Sequence, residues 1–259
     1  IGGNPGENLT PVDIVKFATA YASLVKANKV NERAKVVIGR DARLSGPMVQ
    51  SIFQSTLLGS GIDVIDLGLS TTPTVEFATV NEGADGGVII TASHNPGEWN
   101  ALKLLDKNGE FLNATVGEQL LKLSESTNVS FASIDELGEI TVVNDYIDRH
   151  IEKILGLPLI NAEKIKSQGF HVVIDAVNST GGIAIPKLLD RLGVSYKAMY
   201  CEPTGNFPHN PEPLEKHLGD LMRSVREEKA HFGITVDPDV DRLALVDENG
   251  KMFGEEYTL

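Results

Sequence analysis

Two short segments carry the side chains most able to do chemistry. The first, Thr91-Ala92-Ser93-His94-Asn95-Pro96, sets a hydroxyl beside an imidazole, and Lys103 adds an amine a few residues on. The second, Asp237-Pro238-Asp239-Val240-Asp241-Arg242, alternates three carboxylates and ends on a guanidinium. A serine hydroxyl needs a proton acceptor, or a phosphoryl group already attached, before it reacts. Alternate aspartates in an extended turn direct three carboxylates to one side, where they repel one another unless a cation lies between them. Magnesium takes few protein ligands and leaves positions open for water or a phosphate oxygen. Arg242 supplies a planar donor fork suited to phosphate.

Each segment also has a plainer reading. Ser93 to Pro96 could be a surface turn with a solvent-facing histidine, and the aspartates an acidic hairpin in water. A serine hydrolase is disfavoured because no G-x-S-x-G elbow surrounds Ser93. Asp237, Asp239, Asp241 and Glu248 fall at EF-hand positions, but Arg242 stands where that loop needs glycine, and both flanks read as strands. The turn Asn178 to Gly182 has the composition of a phosphate-binding loop without its glycine spacing or its lysine. Cys201 reads as a small buried hydrophobe. His209 and His217 read as surface or turn positions, and His171 as the opening of a strand.

These residues must be positioned by elements. Thr10-Pro11 starts a helix over Val12 to Val25, a hydroxyl cap followed by a proline at the first turn. Strand patterns at Lys35 to Gly39, Ile62 to Leu67, Gly87 to Thr91 and Ala101 to Leu105 alternate with helices over Pro47 to Leu58 and from Pro73. Short β-branched runs between helices predict a mainly parallel sheet covered on both faces. A helix over Val142 to Leu155 ends at Gly156-Leu157-Pro158, which sets a boundary between a first domain, 1–155, and a second, 156–259. The second repeats the pattern, with strands at His171 to Val177, Tyr196 to Tyr200, Gly233 to Asp237 and Leu243 to Asp247, and helices over Ile183 to Leu192 and Leu218 to Lys229. The fold class is therefore α/β, two consecutive domains, each a mainly parallel or mixed sheet flanked by helices. Ser93 and the aspartates both follow strand ends, where such sheets bind ligands.

Composition bounds the rest. The chain has 259 residues, with 23 Lys+Arg against 36 Asp+Glu, a net charge of −13, too acidic for a nonspecific nucleic-acid binder. With 41% hydrophobic residues it can bury a proper core. No run is long enough to span a bilayer and no signal peptide opens the chain, so no membrane partner is expected. A lone cysteine makes no internal disulfide and suits a reducing cytoplasmic setting.

Taken in order, the motifs resemble the α-D-phosphohexomutases, the family of phosphoglucomutases, phosphomannomutases and phosphoglucosamine mutases. TASHNP resembles its phosphoserine loop, Asn100 to Lys103 the N-G-x-K that follows, and Asp237 to Arg242 its metal loop. Gly39-Arg40-Asp41-Ala42-Arg43 is similar to G-R-D-x-R, and Glu202 to Pro208, with Pro211 and Pro213, to D-G-x-F-P-x-x-x-P-x-P. Ala101 stands where the usual motif has glycine, two residues before Lys103, and Thr204 stands where aspartate is common.

The resemblance implies that Ser93 carries a transferable phosphoryl group. Mg²⁺ would be held by that phosphoserine with Asp237, Asp239 and Asp241. His94 and Lys103 would move the proton of the substrate hydroxyl, Arg242 would stabilise phosphoryl charge, and Arg40, Asp41 and Arg43 would brace the serine loop. A hexose phosphate and a sugar bisphosphate intermediate would be the partners, with phosphate exchanged between C1 and C6. It also implies an amino-terminal segment before Ile1, and third and fourth domains of the same chain after Leu259. Gly254-Glu255-Glu256 is not read as the sugar-selecting loop of the third. By itself the segment is expected to be inactive, and the alternative is a phosphorylatable Mg-binding module without turnover.

Overall fold

The computed structural model describes residues 1–27, 29, 33–125 and 130–253; Gly254-Glu255-Glu256 lies outside them. Its chain divides into two compact units. One comprises Ile1–Arg40, Ser45–Ala92 and Glu98–Tyr146, the other Ile147–Leu259 together with Asp41–Leu44 and Ser93–Gly97. Two loops expected in the first domain thus belong by their contacts to the second unit, and the division falls at Tyr146/Ile147 rather than at 155/156.

In the first unit the elements run β1 (Gly2–Gly3), α1 (Pro11–Ala27), β2 (Lys35–Arg40), α2 (Gly46–Gly59), β3 (Asp63–Leu69), α3 (Thr72–Asn81), β4 (Gly86–Ile90), β5 (Asn100–Leu105), α4 (Ala114–Ser124) and β6 (Ile140–Val142). They form a six-stranded sheet of order β1-β5-β4-β2-β3-β6. β4, β2, β3 and β6 are parallel, and β5 and β1 add an antiparallel edge. Alternate side chains of β2 go to opposite faces, as the two-residue strand period requires. Val36 and Ile38 join the core under α1 and α2, while Val37 joins Val75 and Ala78 of α3 on the other face. Each such aliphatic side chain, buried from water, contributes about 1.5–3 kcal/mol. Helix α1 begins as its cap residues predict, with Thr10 Oγ1 accepting the N–H of Asp13 at 3.4 Å and Asp13 Oδ2 accepting the N–H of Thr10 at 2.9 Å.

The second unit runs α5 (Tyr146–Leu155, from its second residue), α6 (Ala162–Ser167), β7 (His171–Asp175), α7 (Gly181–Leu192), β8 (Ser195–Met199), α8 (Gly219–Glu227), β9 (Phe232–Val236), β10 (Leu243–Val246) and β11 (Met252–Phe253). Its sheet has the order β11-β10-β9-β7-β8, with β8, β7 and β9 parallel and β10 and β11 antiparallel. Val172 and Ile174 of β7 pack with Leu189 of α7, and Val173 with Leu221 and Val225 of α8. The α/β class with two mixed, helix-flanked sheets is as read from sequence. The stretch from Val142 is not all helix: Ile140–Val142 is a strand on the edge of the first sheet, and the helix starts at Tyr146.

Candidate active site

The carboxyl ends of the central strands of the second sheet meet here. β9 leads into the aspartate loop, and β7 ends at Asp175 before the turn Ala176 to Thr180. Asp237, Asp239 and Asp241 each offer an oxygen, all within 4.8 Å of one another, with the first two buried and the third exposed. The loop is not the extended turn that the alternating pattern predicts. Val240 takes a left-handed φ of 63°, unfavourable for a β-branched residue, and its N–H donates to the carbonyl of Asp237. That turn, rather than strand alternation, converges the carboxylates.

Asp237 is the hub. Its Oδ1 accepts the N–H groups of Asp241 and Arg242, and its Oδ2 accepts the hydroxyl of Ser93 at 2.9 Å. Burial, with Asp239 and Asp241 beside it, pushes its carboxyl up to about 8 against the pull of those hydrogen bonds. Three hard oxygens crowded in a site where charge is this costly are a donor set suited to a divalent cation. The residues fit such an ion, and the Ser93 hydroxyl lies beside them.

Ser93 is itself left-handed, at φ 50°. His94 Nδ1 lies 3.4 Å from its hydroxyl, and Asp241 Oδ1 lies 3.5 Å away. The loop is held from beneath by Arg43, which is fully buried. Its guanidinium donates to the carbonyls of Ser93 (2.6 Å), Asn95 (2.7 Å) and Pro96 (2.5 Å), and pairs with the buried carboxylate of Asp41 at 3.0 Å. Phe207 stacks on it, 5.1 Å from ring centre to Cζ.

Ser93, His94, Asp41, Arg43, Asp237, Asp239, Asp241 and Arg242 all belong to the second unit. Arg40 and Lys103 belong to the first. There Arg40 Nε donates to Gln50, whose amide donates on to Asp66. Lys103 lies on β5 with its ammonium 5.7 Å from the centre of the Phe111 ring. Ala101, in place of the expected glycine, sits in the regular strand β5.

Some participants escaped the sequence reading. Ser179 Oγ accepts the N–H of Ala42 and donates to the carbonyl of Pro238, and Thr180 Oγ1 donates to that same carbonyl. The turn with a phosphate-loop composition is thus a tie between the Asp41–Leu44 loop and the aspartate loop. His209, expected at a surface or turn position, lies in a turn and pairs with buried Asp175 at 2.9 Å, a partner too distant in sequence to leave a local signal. Cys201 is half-buried, and burial first, then Asp175, pushes its thiol up to about 11, as an inert small side chain requires.

The fold is two α/β units, and the second holds a serine loop seated on a carboxylate triad. Residues 1–128 match the family model for phosphoglucomutase/phosphomannomutase, alpha/beta/alpha domain I, and residues 145–250 that for domain II. The chain belongs to the phosphoglucomutase/phosphomannomutase family. It is 38% identical over its full length to a phosphoglucomutase/phosphomannomutase of Thermococcus kodakarensis, covering 56% of that protein. It is 36% identical over 97% of its length to a Methanosphaera stadtmanae protein named "Probable phosphoglucosamine mutase", covering 54% of it. The crystal structure of a phosphoglucomutase/phosphomannomutase family protein from Burkholderia thailandensis superposes with a TM-score of 0.83 at 26% identity, over 97% of this chain and 54% of that one. The chain therefore spans about half the length of the relatives it matches. Among the described residues no helix is long and apolar enough to cross a membrane.

Proposed function

We propose that the chain carries the phosphoserine and metal loops of a phosphohexomutase that moves phosphate between C1 and C6 of a hexose or hexosamine phosphate. The observation that carries this reading is the hydrogen bond from Ser93 Oγ to Asp237 Oδ2, which sets the hydroxyl against the carboxylate triad. Asp237, Asp239 and Asp241 would hold Mg²⁺, with the phosphoserine as a further ligand. Bound there, the ion neutralises phosphoryl charge. The substrate hydroxyl attacks phosphorus in line, a new P–O bond forms, and the bond to Ser93 Oγ breaks. His94 or Lys103 takes the hydroxyl proton. The resulting bisphosphate turns over and returns its other phosphate to Ser93. Arg242 contributes a planar donor to the transferring group, and Arg43 fixes the loop so that Oγ stays in line.

Incubating the whole protein with a hexose 1-phosphate, a catalytic amount of sugar bisphosphate and Mg²⁺ should yield the 6-phosphate. Intact mass should show one phosphate, located on Ser93. Activity retained by Ser93→Ala would sink the reading. A second reading is favoured by the chain's span of about half its relatives: these residues alone form a phosphorylatable Mg-binding module without turnover. A substrate not held at its far end forfeits the positioning on which transfer depends. Substantial turnover by the isolated chain would exclude it.

A further inference from the structure

His209 lies outside the groups that touch the serine or the aspartate triad, yet it is built into the second unit with unusual care. Its Nε2 faces Oδ2 of Asp175 at 2.9 Å, and its Nδ1 faces the carbonyl of Asn210 at 2.8 Å. Both ring nitrogens meet acceptors. A neutral imidazole has only one N–H to give, so one contact would set two lone pairs against each other; the imidazolium satisfies both. Asp175 ends β7, is fully buried, and is anchored by accepting the N–H of Val177 on its other oxygen.

The loop that carries His209 packs on the residues that hold the serine loop. Gly205, at φ 74°, lets the chain press against Ala42, where a Cβ would fall 2.0 Å from the carbonyl oxygen. Its N–H donates to the carbonyl of Asn178, and the Asn178 amide donates to the carbonyl of Asn206. Phe207, two residues before His209, lies on the guanidinium of Arg43, the group that grips the three carbonyls of the serine loop. His209, Phe207, Pro96 and Gly97 also line one cavity of about 340 Å³.

We propose that protonated His209, clamped by Asp175, is a positioning residue for Ser93: it fixes the 205–210 turn, and through Phe207 and Arg43 the serine loop. The role rests on the proposed function only in taking that loop to be the reactive one. Of the other groups around the imidazole, Asp220 favours its charge and His217 opposes it. Tyr200 packs its ring at 5.8 Å and donates to Asp220, which is paired with Arg223 on α8. His217, with Lys216 and Glu212 near it, belongs to the following turn. Burial opposes the charge on His209, but the hydrogen bond and charge of Asp175, with the Asn210 carbonyl and Asp220, outweigh it and raise its pKa.

The test is an NMR titration of the chain from about pH 5 to about pH 9, following the six histidine rings and the serine-loop amides. The ring of His209, assigned with His209→Gln, should titrate above about 6.5. The amides of Asn95 and Gly97 should move with that same midpoint. Asp175→Asn should lower both midpoints together by about one unit or more. Phe207→Leu should leave the ring midpoint in place and remove most of the amide response. Serine-loop amides that do not titrate, that follow His94 as judged by His94→Gln, or that respond undiminished in Phe207→Leu would each overturn the proposal. So would a His209 midpoint at or below the ordinary value. No substrate is present, so failure here leaves the mutase reading standing, and retained activity in Ser93→Ala leaves this coupling standing.

Discussion

Arg43 shows how much one residue can organise. It is fully buried, and its guanidinium serves the Asp41 carboxylate and three carbonyls of the serine loop at once. Lysine is no substitute, because a single ammonium cannot reproduce the planar fork. Arg43→Ala takes the guanidinium from the buried Asp41 carboxylate and should cost about 3–5 kcal/mol in urea unfolding. Removing both charges, in Asp41→Asn/Arg43→Met, should recover only part of that loss, since the carbonyls of Ser93, Asn95 and Pro96 still lose their donor. Full recovery would mean the carbonyl contacts add nothing. His209 makes a pH-dependent contribution of the opposite kind to a paired carboxylate. Its raised folded pKa means that its stabilisation is complete below the ordinary imidazole value of about 6.5 and is lost as pH rises through the folded value. The fall in thermal stability across that window should be absent from Asp175→Asn.

At the scale of elements, loops are tied to one another more than to their own strands. Ser179 joins the amide of Ala42 to the carbonyl of Pro238, and Thr180 reinforces the second contact. Ser179→Ala should cost about 1–3 kcal/mol by leaving a buried amide without its acceptor. It should also weaken Mg²⁺ binding measured by calorimetry, because the aspartate loop loses a brace. Unchanged affinity would confine the role of Ser179 to stability. Such ties explain what was legible beforehand. The strands Val36 to Ile38 and Val172 to Ile174 were readable because β-branched runs buried on both faces are a local signal. Ser93 and the aspartates were readable as residue types at strand ends. The carboxylates' convergence through a left-handed Val240, the grip of Arg43 and the His209–Asp175 pair were not, because each depends on a partner or a backbone angle that no local pattern encodes. The strand Ile140–Val142 was missed for a different reason: it is a three-residue exposed edge whose apolar residues run on into those of α5.

For the whole molecule, charge decides how the site must be used. The chain carries a net charge of −13, and in its cluster of three carboxylates burial, with Asp239 and Asp241 beside it, pushes the Asp237 carboxyl up to about 8. Phosphorylating Ser93 would add about −1.5 to −2 charges beside Asp237, whose carboxylate already touches the Ser93 hydroxyl at 2.9 Å. Without a cation, that addition is repulsive in a poorly solvated position; a cation held by the triad would offset it, with phosphate and carboxylates sharing the ion. Magnesium should therefore stabilise the phosphorylated chain more than the unphosphorylated one, and chelation should destabilise the phosphorylated chain more. Thermal melts of both forms, with Mg²⁺ and with EDTA, give the comparison directly, and Asp239→Asn should shrink the difference. Equal Mg²⁺-induced shifts in the two forms would mean that the phosphate does not face the triad, and the shared-ion arrangement would have to be abandoned even if Ser93 proved to be the phosphorylated residue.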